Sequence, residues 1–345
     1  MLRRVAGAVL GPLARELTGG QPRILFYHRF SPAGFRALRP VDFEAQLAFI
    51  RRHFRPVPLT RIVEALAGGE PLPRRAVALT VDDGYRDFVE HAWPLLERYE
   101  VPATLYVASR FAAGEMWLWF DRLRYVCEQA ATPTLAITDP SAPAVYPLAT
   151  PADRERTWDR LATRCLTLAT AAREALIAHA AEVGEVAVPA TAPAPFAAAP
   201  FAELARLDPA LVEIGAHTRT HPILSCCEDA EVHEEVAGSV QELAAALGRP
   251  IRSFCYPNGR PEDFDARAVA AVASAGCSSA TASTGMFVPP GADRYALPRF
   301  GAAGELPTFR HELDGLTYLQ SRLSGRRIDP VPGEIAGRGV GRSPP

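Results

Sequence analysis

Two pairs of side chains in this sequence have the types and spacing that could carry chemistry. Asp82 and Asp83 are adjacent carboxylates. His217 and His221 are imidazoles four residues apart, and on a helix or a helical turn that spacing puts both rings on one side. Two histidines and one carboxylate are typical of a catalytic site for zinc, cobalt, nickel, iron or manganese. Either pair alone also fits a solvated turn or histidines that bind nothing, so the hypothesis depends on their combination.

Both pairs directly follow runs of apolar residues that predict buried strands. Asp82 follows residues 76–81 and His217 follows residues 212–216, while His28 ends a similar run. The predicted strands are 23–28, 76–81, 103–108, 212–216, 251–256 and a segment near 277–281. The predicted helices are 42–52 with Asp42 as N-cap, 85–99, and 230–247 ended by Gly248.

The alternation of strands and helices predicts an α/β fold with a parallel sheet, closed or nearly closed into a barrel. Chemistry in such barrels lies at the carboxyl ends of the strands. We therefore expect the polar residues after the apolar runs to converge on one face.

Composition excludes several other classes of protein. The 345 residues are 48% hydrophobic and 22% charged, which is typical of a chain with a sizeable core. A net charge of −2 argues against a dedicated nucleic-acid binder. The six cysteines form neither CxxC pairs nor a dense disulfide framework, which favours free thiols. No run approaches the ~20 apolar residues of a membrane-spanning helix.

The chain divides into three parts on these patterns. Residues 1–21 predict a short amphipathic helix that could touch a membrane surface, because the apolar run is too short and lacks a cleavage site for a signal peptide. Residues 22–325 form the barrel, with a helical insertion at about 110–205 that could act as a lid or a wall of the site. Residues 326–345, rich in Gly, Pro and Arg, predict a disordered tail.

Three motifs occur in an order that resembles a known family. Thr80-Val-Asp-Asp-Gly84, His217-Thr-Arg-Thr-His221 and Phe254-Cys-Tyr-Pro-Asn-Gly259 are similar to the first three motifs of the polysaccharide deacetylases, family four of the carbohydrate esterases. The Leu25-Phe-Tyr-His-Arg29, Trp117–Asp121 and Leu297-Pro-Arg-Phe300 segments are similar to a bacterial branch of that family. The resemblance covers residues 22 to 305, and the combination is more specific than any one motif.

The resemblance implies a fold and a set of roles. The fold would be a distorted, incomplete (β/α)7 barrel. Asp82 would be the general base, and Asp83, His217 and His221 would hold a divalent metal ion, Zn²⁺ in the first place, with Co²⁺, Ni²⁺, Fe²⁺ or Mn²⁺ as alternatives.

The third motif would line the substrate groove. Its residues Tyr256, Pro257, Asn258 and Gly259 would face the substrate, with Asn258 as the best candidate to donate a hydrogen bond to the oxyanion. Such a preorganised donor typically contributes ~3 to 4 kcal/mol.

Two departures from the family pattern affect the mechanism. The position that often carries an orienting Arg is Cys255 here, and Arg299 could supply that charge from another strand. A late His often acts as general acid, but His311 lies in a charged, helix-like stretch that does not match. We therefore take His28 as the alternative proton donor and leave its identity open.

The leading hypothesis is a hydrolase that removes the N-acetyl group of an amino sugar in a polysaccharide or lipid-linked glycan, through metal-bound water and an Asp base. The alternatives are a deformylase or amidohydrolase on a non-polymeric substrate, and an inactive carbohydrate-binding relative. We expect a carbohydrate substrate and no nucleic-acid partner, at a cytoplasmic site or on the inner face of the membrane, without excluding secretion. The sequence leaves the oligomeric state open.

Overall fold

The computed structural model describes residues 2–33, 37–137, 144–285 and 287–324, with side chains from residue 10 onward. The predicted disordered tail, residues 326–345, lies outside them. The strands are β1 Arg23–Tyr27, β2 Arg55–Pro56, β3 Ala76–Val81, β4 Ala103–Val107, β5 Thr134–Ile137, β6 Ala144–Pro147, β7 Val212–Ala216, β8 Ser253–Cys255, β9 Ser279–Ala282, β10 Leu297–Pro298 and β11 Phe300–Gly301.

Helices connect these strands. They are α1 Leu2–Leu17, α2 Pro40–His53, α3 Leu59–Leu66, α4 Trp93–Tyr99, α5 Ser109–Ala112, α6 Trp119–Gln129, α7 Pro151–Cys165, α8 Thr170–Val183, α9 Phe201–Leu204, α10 Asp229–Leu247, α11 Ala266–Ser274, α12 Leu306–Leu313 and α13 Leu316–Ser324. A π-helix covers Phe88–Ala92, and 3-10 helices cover Ala194–Phe196 and Leu224–Cys226.

A parallel sheet forms a nearly closed barrel, which confirms the predicted fold class. Its strands lie in the order β10, β9, β8, β7, β4, β3, β1, β11, with β2 paired to β3. Every residue of β1, β3 and β4 is buried. Strands buried on both faces read as continuous apolar runs, which is why the sequence predicts them well.

The barrel closes through one continuous segment. Leu297 of β10 pairs with Thr281 of β9, and Phe300 of β11 pairs with Leu25 of β1. Counted as one strand, this segment completes seven around the barrel with β1, β3, β4, β7, β8 and β9. Arg299 lies where the segment changes partners, and it is 1% exposed. The seam of the barrel therefore carries a buried cation.

The insertion has a hydrophobic core of its own, centred on Trp119, Trp158 and Leu161. It is less purely helical than predicted, because β5 and β6 form an antiparallel pair beside α6, α7 and α8. Helix α7 begins with a capping box in which Thr150 and Asp153 satisfy each other's backbone N–H groups. The insertion is therefore a folded part of the protein.

Helix α1 packs against α12 and α13. Ala14 is buried, and Arg15 forms an ion pair with Asp314 at 2.9 Å. On the opposite face, large apolar side chains are exposed at Leu10, Leu13 and Leu17. Among the described residues, no helix is both long and apolar enough to cross a membrane.

Two predicted helix boundaries are wrong in detail. Helix α2 begins at Pro40, so Asp42 lies in its first turn and Arg39 takes the N-cap position. Proline is well suited to the first turn because its missing N–H would have no partner there. The helix predicted at 85–99 is a π-helix followed by α4. Gly248 ends α10 as predicted, with φ 64°.

Candidate metal and base site

The predicted site residues follow the barrel strands at their carboxyl ends. Asp82 and Asp83 come directly after β3, where Asp83 has φ 75° and Gly84 has φ 89°. A Cβ atom on Gly84 would lie 3.0 Å from Cγ1 of Val107. This sharp, glycine-dependent turn lets two adjacent carboxylates contact different partners.

Asp83, His217 and His221 form a buried group. Oδ1 of Asp83 lies 3.5 Å from Nε2 of His217 and 3.4 Å from Nε2 of His221. The two imidazole rings are 4.8 Å apart, and one ligand atom from each residue lies within 4.8 Å of the others. This spacing would let one cation contact all three.

The atoms of this group fit a divalent cation. Both carboxylate oxygens of Asp83 and both ring nitrogens of His221 are buried without a hydrogen-bond partner among the described residues. Nδ1 of His217 lies 2.7 Å from the carbonyl oxygen of Cys255, which leaves Nε2 directed at Asp83. Leaving such polar atoms unpaired is costly, so the donor set is better explained by a metal ion than by packing.

The two histidines lie on a loop, so the expected helical spacing is wrong. Residues 217–221 contain no helix, and Thr218 and His221 adopt φ 64° and 60°. The Thr218 hydroxyl accepts a hydrogen bond from the His221 N–H at 3.0 Å. Of the seven non-glycine residues with positive φ in the described chain, Asp83, Thr218, His221 and Asn258 lie in the predicted site. Backbone strain of this kind is often concentrated at functional sites.

Glu235 of α10 anchors this loop, and sequence reasoning missed it. Its carboxylate accepts hydrogen bonds from the N–H groups of Arg219 at 2.8 Å and Thr220 at 2.9 Å, and from the Thr220 hydroxyl at 2.7 Å. A signal existed in the sequence, because Glu235 falls on the apolar face of α10 between Val232 and Val236. A glutamate on such a face needs a partner.

Asp82 is held by a different set of contacts. Arg299 donates to both carboxylate oxygens, from Nη1 to Oδ1 at 2.7 Å and from Nη2 to Oδ2 at 2.6 Å. Nη1 also donates to the Thr80 hydroxyl, and Nη2 to Sγ of Cys255. The third motif has Cys255 at the position where an orienting Arg is often found. In this chain Arg299, at the barrel seam, supplies the positive charge to Asp82 instead.

A second possible ligand group, Asp82 with His217 and Cys255, fits a cation less well. Arg299 already neutralises Asp82 in a bidentate pair. A metal ion placed there would be repelled by a buried guanidinium, so Asp83 is the better carboxylate ligand.

The pKa shifts of Asp82, Asp83 and His221 agree with this division, whereas that of His217 does not: burial lowers its pKa, but Cys255 and Asp83 more than offset that effect and raise it. Burial raises the pKa of Asp82, but Arg299 more than offsets that effect and keeps the pKa below its usual value. Burial also raises the pKa of Asp83, yet the nearby imidazoles of His217 and His221 hold it well below the usual range. Burial lowers the pKa of His221, which favours the neutral imidazole that a metal requires.

His28 lies at the rim beside the base. Its Nε2 is 3.8 Å from Oδ2 of Asp82, and its side chain is 20% exposed. Because it reaches both solvent and the carboxylate, it can face a substrate. His311 lies in α12, which packs on α1 and α2.

The third motif contributes both backbone geometry and polar atoms. The Tyr256 ring is buried and stacks on Phe264 at 3.9 Å, and its backbone N–H bonds to Thr281. Pro257 precedes a turn in which Asn258 and Gly259 have φ 55° and 70°. Both side-chain amide atoms of Asn258 are buried without a hydrogen-bond partner in the described chain. Of these four residues, Asn258 has the polar atoms free for a ligand.

The insertion directly contacts the loop that carries His217 and His221. The Trp119 indole N–H donates to the carbonyl oxygen of His221 at 3.1 Å, and the Phe120 ring lies 5.3 Å from the His221 ring. The next residue, Asp121, accepts a hydrogen bond from Tyr85. The wall that the sequence places in the insertion is therefore in contact with the site.

These residues lie in segments that match a known family model. Residues 69–130 and 194–280 match the family model described as polysaccharide deacetylase. The first segment contains Asp82 and Asp83, and the second contains His217, His221 and the third motif. The unmatched part between the two segments lies within the insertion.

One curated relative is 40% identical over 70 residues, 20% of this chain. It is the poly-beta-1,6-N-acetyl-D-glucosamine N-deacetylase of Escherichia coli (strain K12), and the match covers 10% of its length. The chain thus spans about a tenth of that relative.

Solved structures share the fold over most of this chain. IcaB from Ammonifex degensii matches with a TM-score of 0.55 and 18% identity, over 86% of this chain and 97% of that one. The Streptococcus pyogenes deacetylase PplD, in complex with acetate, matches with a TM-score of 0.53 and 17% identity, over 84% and 96%. The family model and the three motifs in order make this chain similar to the polysaccharide deacetylases, and the solved structures show that it shares their fold.

Proposed function

We propose that this protein is a metal-dependent hydrolase that removes the N-acetyl group of an amino sugar in a polysaccharide or lipid-linked glycan. The observation that carries the proposal is the contrast at the end of β3. Asp82 is paired with Arg299, while Asp83 and His221 present buried atoms without partners. A carbohydrate-binding module would need neither an oriented carboxylate such as Asp82 nor, beside it, buried ligand atoms without partners.

Asp83, His217 and His221 would hold the metal ion, with Zn²⁺ as the first candidate. When bound, a divalent cation of this kind polarises a carbonyl and makes water more acidic. The remaining chemistry is assigned to side chains of this chain.

Asp82 would act as the general base that accepts the proton from the attacking water. Its low pKa keeps it ionised at neutral pH, and the bidentate contact with Arg299 fixes the orientation of the carboxylate. Arg299 is a positioning residue, because it contacts Asp82 and Cys255 and no substrate-facing surface.

The leaving amine needs a proton, and the oxyanion needs a donor. We assign the first role to His28, which lies beside Asp82 and reaches solvent. We assign the second to Asn258, whose buried amide has no partner in the described chain. The products would be the free amino sugar and acetate.

The substrate class is supported by the family and by the name of the E. coli relative, which acts on a polymer of N-acetyl-D-glucosamine. The matching segment is short, so the linkage and the carrier of the glycan stay open. A formyl group in place of acetyl would need the same chemistry.

The test is an assay of acid release by the full chain, after metal removal and reloading with Zn²⁺, Co²⁺, Ni²⁺, Fe²⁺ or Mn²⁺. Substrates are N-acetylated and N-formylated hexosamine oligomers. The double variant Asp82→Asn with Asp83→Asn serves as the blank. Asp42→Asn is the matched control, because Asp42 forms a similar bidentate pair with Arg39 on the surface.

Acetate released by the wild type and by Asp42→Asn, but not by the double variant, is the expected result. Formate without acetate would instead favour the deformylase. Binding of the oligomers with no acid released under any metal would contradict the proposal and favour the carbohydrate-binding relative.

We also propose that the protein acts in the cytoplasm or on the inner face of the membrane, and that helix α1 contacts the membrane surface. The exposed side chains Leu10, Leu13 and Leu17 on α1 support contact of this helix with a membrane surface. Co-flotation of the full chain with anionic vesicles, lost in a variant with these leucines changed to Ser, would test it.

A further inference from the structure

A cavity of about 400 Å³ is lined by residues that follow site residues in sequence. It lies between the loop after β1, the start of the π-helix, helix α6 and the 3-10 helix Ala194–Phe196. That space would hold about 13 water molecules at ~30 Å³ each, which is enough for one hexosamine unit. Its volume lies within the range of small-molecule sites.

The cavity is adjacent to the catalytic residues. Arg29 in its wall follows His28 in sequence, and Asp121 follows Phe120, whose ring contacts His221. Tyr85, which follows Gly84, bonds to Asp121 and stacks under the Arg29 guanidinium at 3.8 Å. A ligand in the cavity would therefore neighbour a unit held at the metal.

The lining of the cavity has one negative charge in excess. Its cations are Arg29, Arg86 and Arg124, and its carboxylates are Asp87, Glu90, Asp121 and Glu128. Arg29 donates from Nε to Oδ2 of Asp87 at 2.6 Å, and buried Arg124 pairs with Glu155, which lies outside the lining, at 3.3 Å. Three cations against four carboxylates leave the lining short of positive charge.

Asp87 has an acceptor atom available for a ligand. Its Oδ1 is buried and has no hydrogen-bond partner among the described residues. Burial raises the pKa of Asp87 despite the opposing effects of Arg29 and the Phe30 N–H, and burial raises the pKa of Asp121 to about 6. Both carboxylates would be stabilised by an added cation.

Other groups in the wall suit a sugar. Pro195 and Phe196 supply an apolar side, and Phe196 is held by ring contact with Trp117. At the outer edge, Arg86 pairs with Glu90 and Glu203, so these two carboxylates already have a cationic partner.

We propose that this cavity binds an amino sugar whose amine is free, with its ammonium group against Asp87. This inference rests on the proposed function. A deacetylated unit of the glycan would occupy the cavity while the next N-acetylated unit lies at the metal, so the enzyme would prefer sites next to units that are already deacetylated.

Binding is tested first, without reference to turnover. Glucosamine, N-acetylglucosamine and glucose are titrated into the metal-loaded full chain by calorimetry. Glucosamine should bind more tightly than the other two sugars, and Asp87→Asn should weaken it by about tenfold or more, the expected effect of a lost charge-assisted hydrogen bond.

Two variants serve as controls. Asp42→Asn removes an Asp partner of an Arg Nε at 2.6 Å outside the cavity, and should leave binding unchanged. Asp83→Asn should also leave it unchanged, which separates the cavity from the metal site. If Asp87→Asn does not fold, Asp121→Asn is the substitute, because Asn can still accept the Tyr85 hydrogen bond.

Turnover is tested with two oligosaccharides that each carry one N-acetyl group and differ only in whether the neighbouring unit has a free amine. The wild type should release acetate several-fold faster from the free-amine substrate, and Asp87→Asn should lose that preference. Equal binding of glucosamine and N-acetylglucosamine, or an unaltered preference in Asp87→Asn, would overturn the inference. Glucosamine binding at Asp87 without acetate release from any substrate would support the cavity and refute the proposed function.

Discussion

Asp82 and Asp83 are neighbours in the chain and both are buried, at 2% and 0% exposure, but their surroundings are opposite. Every oxygen of the Asp82 carboxylate is paired with Arg299. The oxygens of Asp83 have no hydrogen-bond donor among the described residues and face two imidazoles instead.

The difference shows how one short turn can give two adjacent carboxylates, Asp82 and Asp83, different surroundings and so suit them to different roles. A carboxylate with a fixed guanidinium partner is charged and oriented but closed to a cation, which suits a base. A carboxylate without a partner is stable at this depth only if a cation joins it. Each substitution below should therefore affect one half of the site more than the other.

The largest effect is expected from Asp83→Asn. An amide is a weaker metal ligand than a carboxylate, and it leaves the two histidines without a charged partner. Metal content should fall, and activity should drop by ~10³-fold or more, because a bound cation contributes several kcal/mol to such reactions. Elemental analysis and acetate release check this together. Stoichiometric metal with full activity would show that Asp83 is no ligand.

Asp82→Asn should separate the two halves. The variant keeps the ligands of the metal but cannot accept a proton, so kcat should fall by ~10²- to 10⁴-fold with metal content close to the wild type. Asp42→Asn is the control for the chemical change at an Arg-paired aspartate. Equal loss of metal in Asp82→Asn and Asp83→Asn would mean that the two carboxylates act as one unit.

Arg299→Lys should change the pH dependence of the base. Arg299 lowers the pKa of Asp82 against the raising effect of burial, and a lysine cannot reproduce its bidentate contact. The pKa of Asp82 should rise, so the acid limb of the kcat/KM profile should move to higher pH. Activity should fall by ~10-fold or more near neutral pH and recover in part at alkaline pH.

The kcat/KM pH profile of Arg294→Lys provides the comparison, because Arg294 is exposed and contacts Tyr295 on the surface. An acid limb that stays in place in Arg299→Lys would remove Arg299 from the mechanism and leave it a structural residue of the seam.

The sequence predicts the barrel strands well and the connections less well, for physical reasons. Residues 76–81 are all buried, and so are residues 212–216 except Glu213, so the predicted strands match the observed ones residue for residue. The chain path of residues 217–221 could not be predicted, because positive φ is an outlier for a β-branched residue such as Thr218. The antiparallel pair β5 and β6 was missed inside a segment that is otherwise helical.

The residues of the site could also be predicted from the sequence only in part. Arg299 of Leu-Pro-Arg-Phe could be predicted as a site residue because Cys255 occupies the position where an orienting Arg is often found. Only the structure shows that the barrel seam brings Arg299 and Cys255 together. Glu235 escaped notice because a glutamate in a helix is usually solvated. Its role depends on the loop that the sequence could not predict.

The smallest effect is expected from Glu235→Gln, and it should fall on the Asp83 half alone. Both N–H groups, of Arg219 and Thr220, donate to the same oxygen of Glu235, and Gln can keep that oxygen. It loses the negative charge and the second oxygen, which accepts from the Thr220 hydroxyl. The loop that carries His217 and His221 should loosen, and metal affinity should fall by about 10-fold, as for other groups that orient ligands. At saturating metal, kcat and its pH profile should match the wild type, because Asp82 and Arg299 are untouched. Glu234→Gln is the matched control, since the adjacent Glu234 is exposed and, within the described part of the chain, forms its ion pair with the Arg219 side chain. A lower kcat at saturating metal would show that the loop also positions the base, and that the two halves of the site are mechanically coupled.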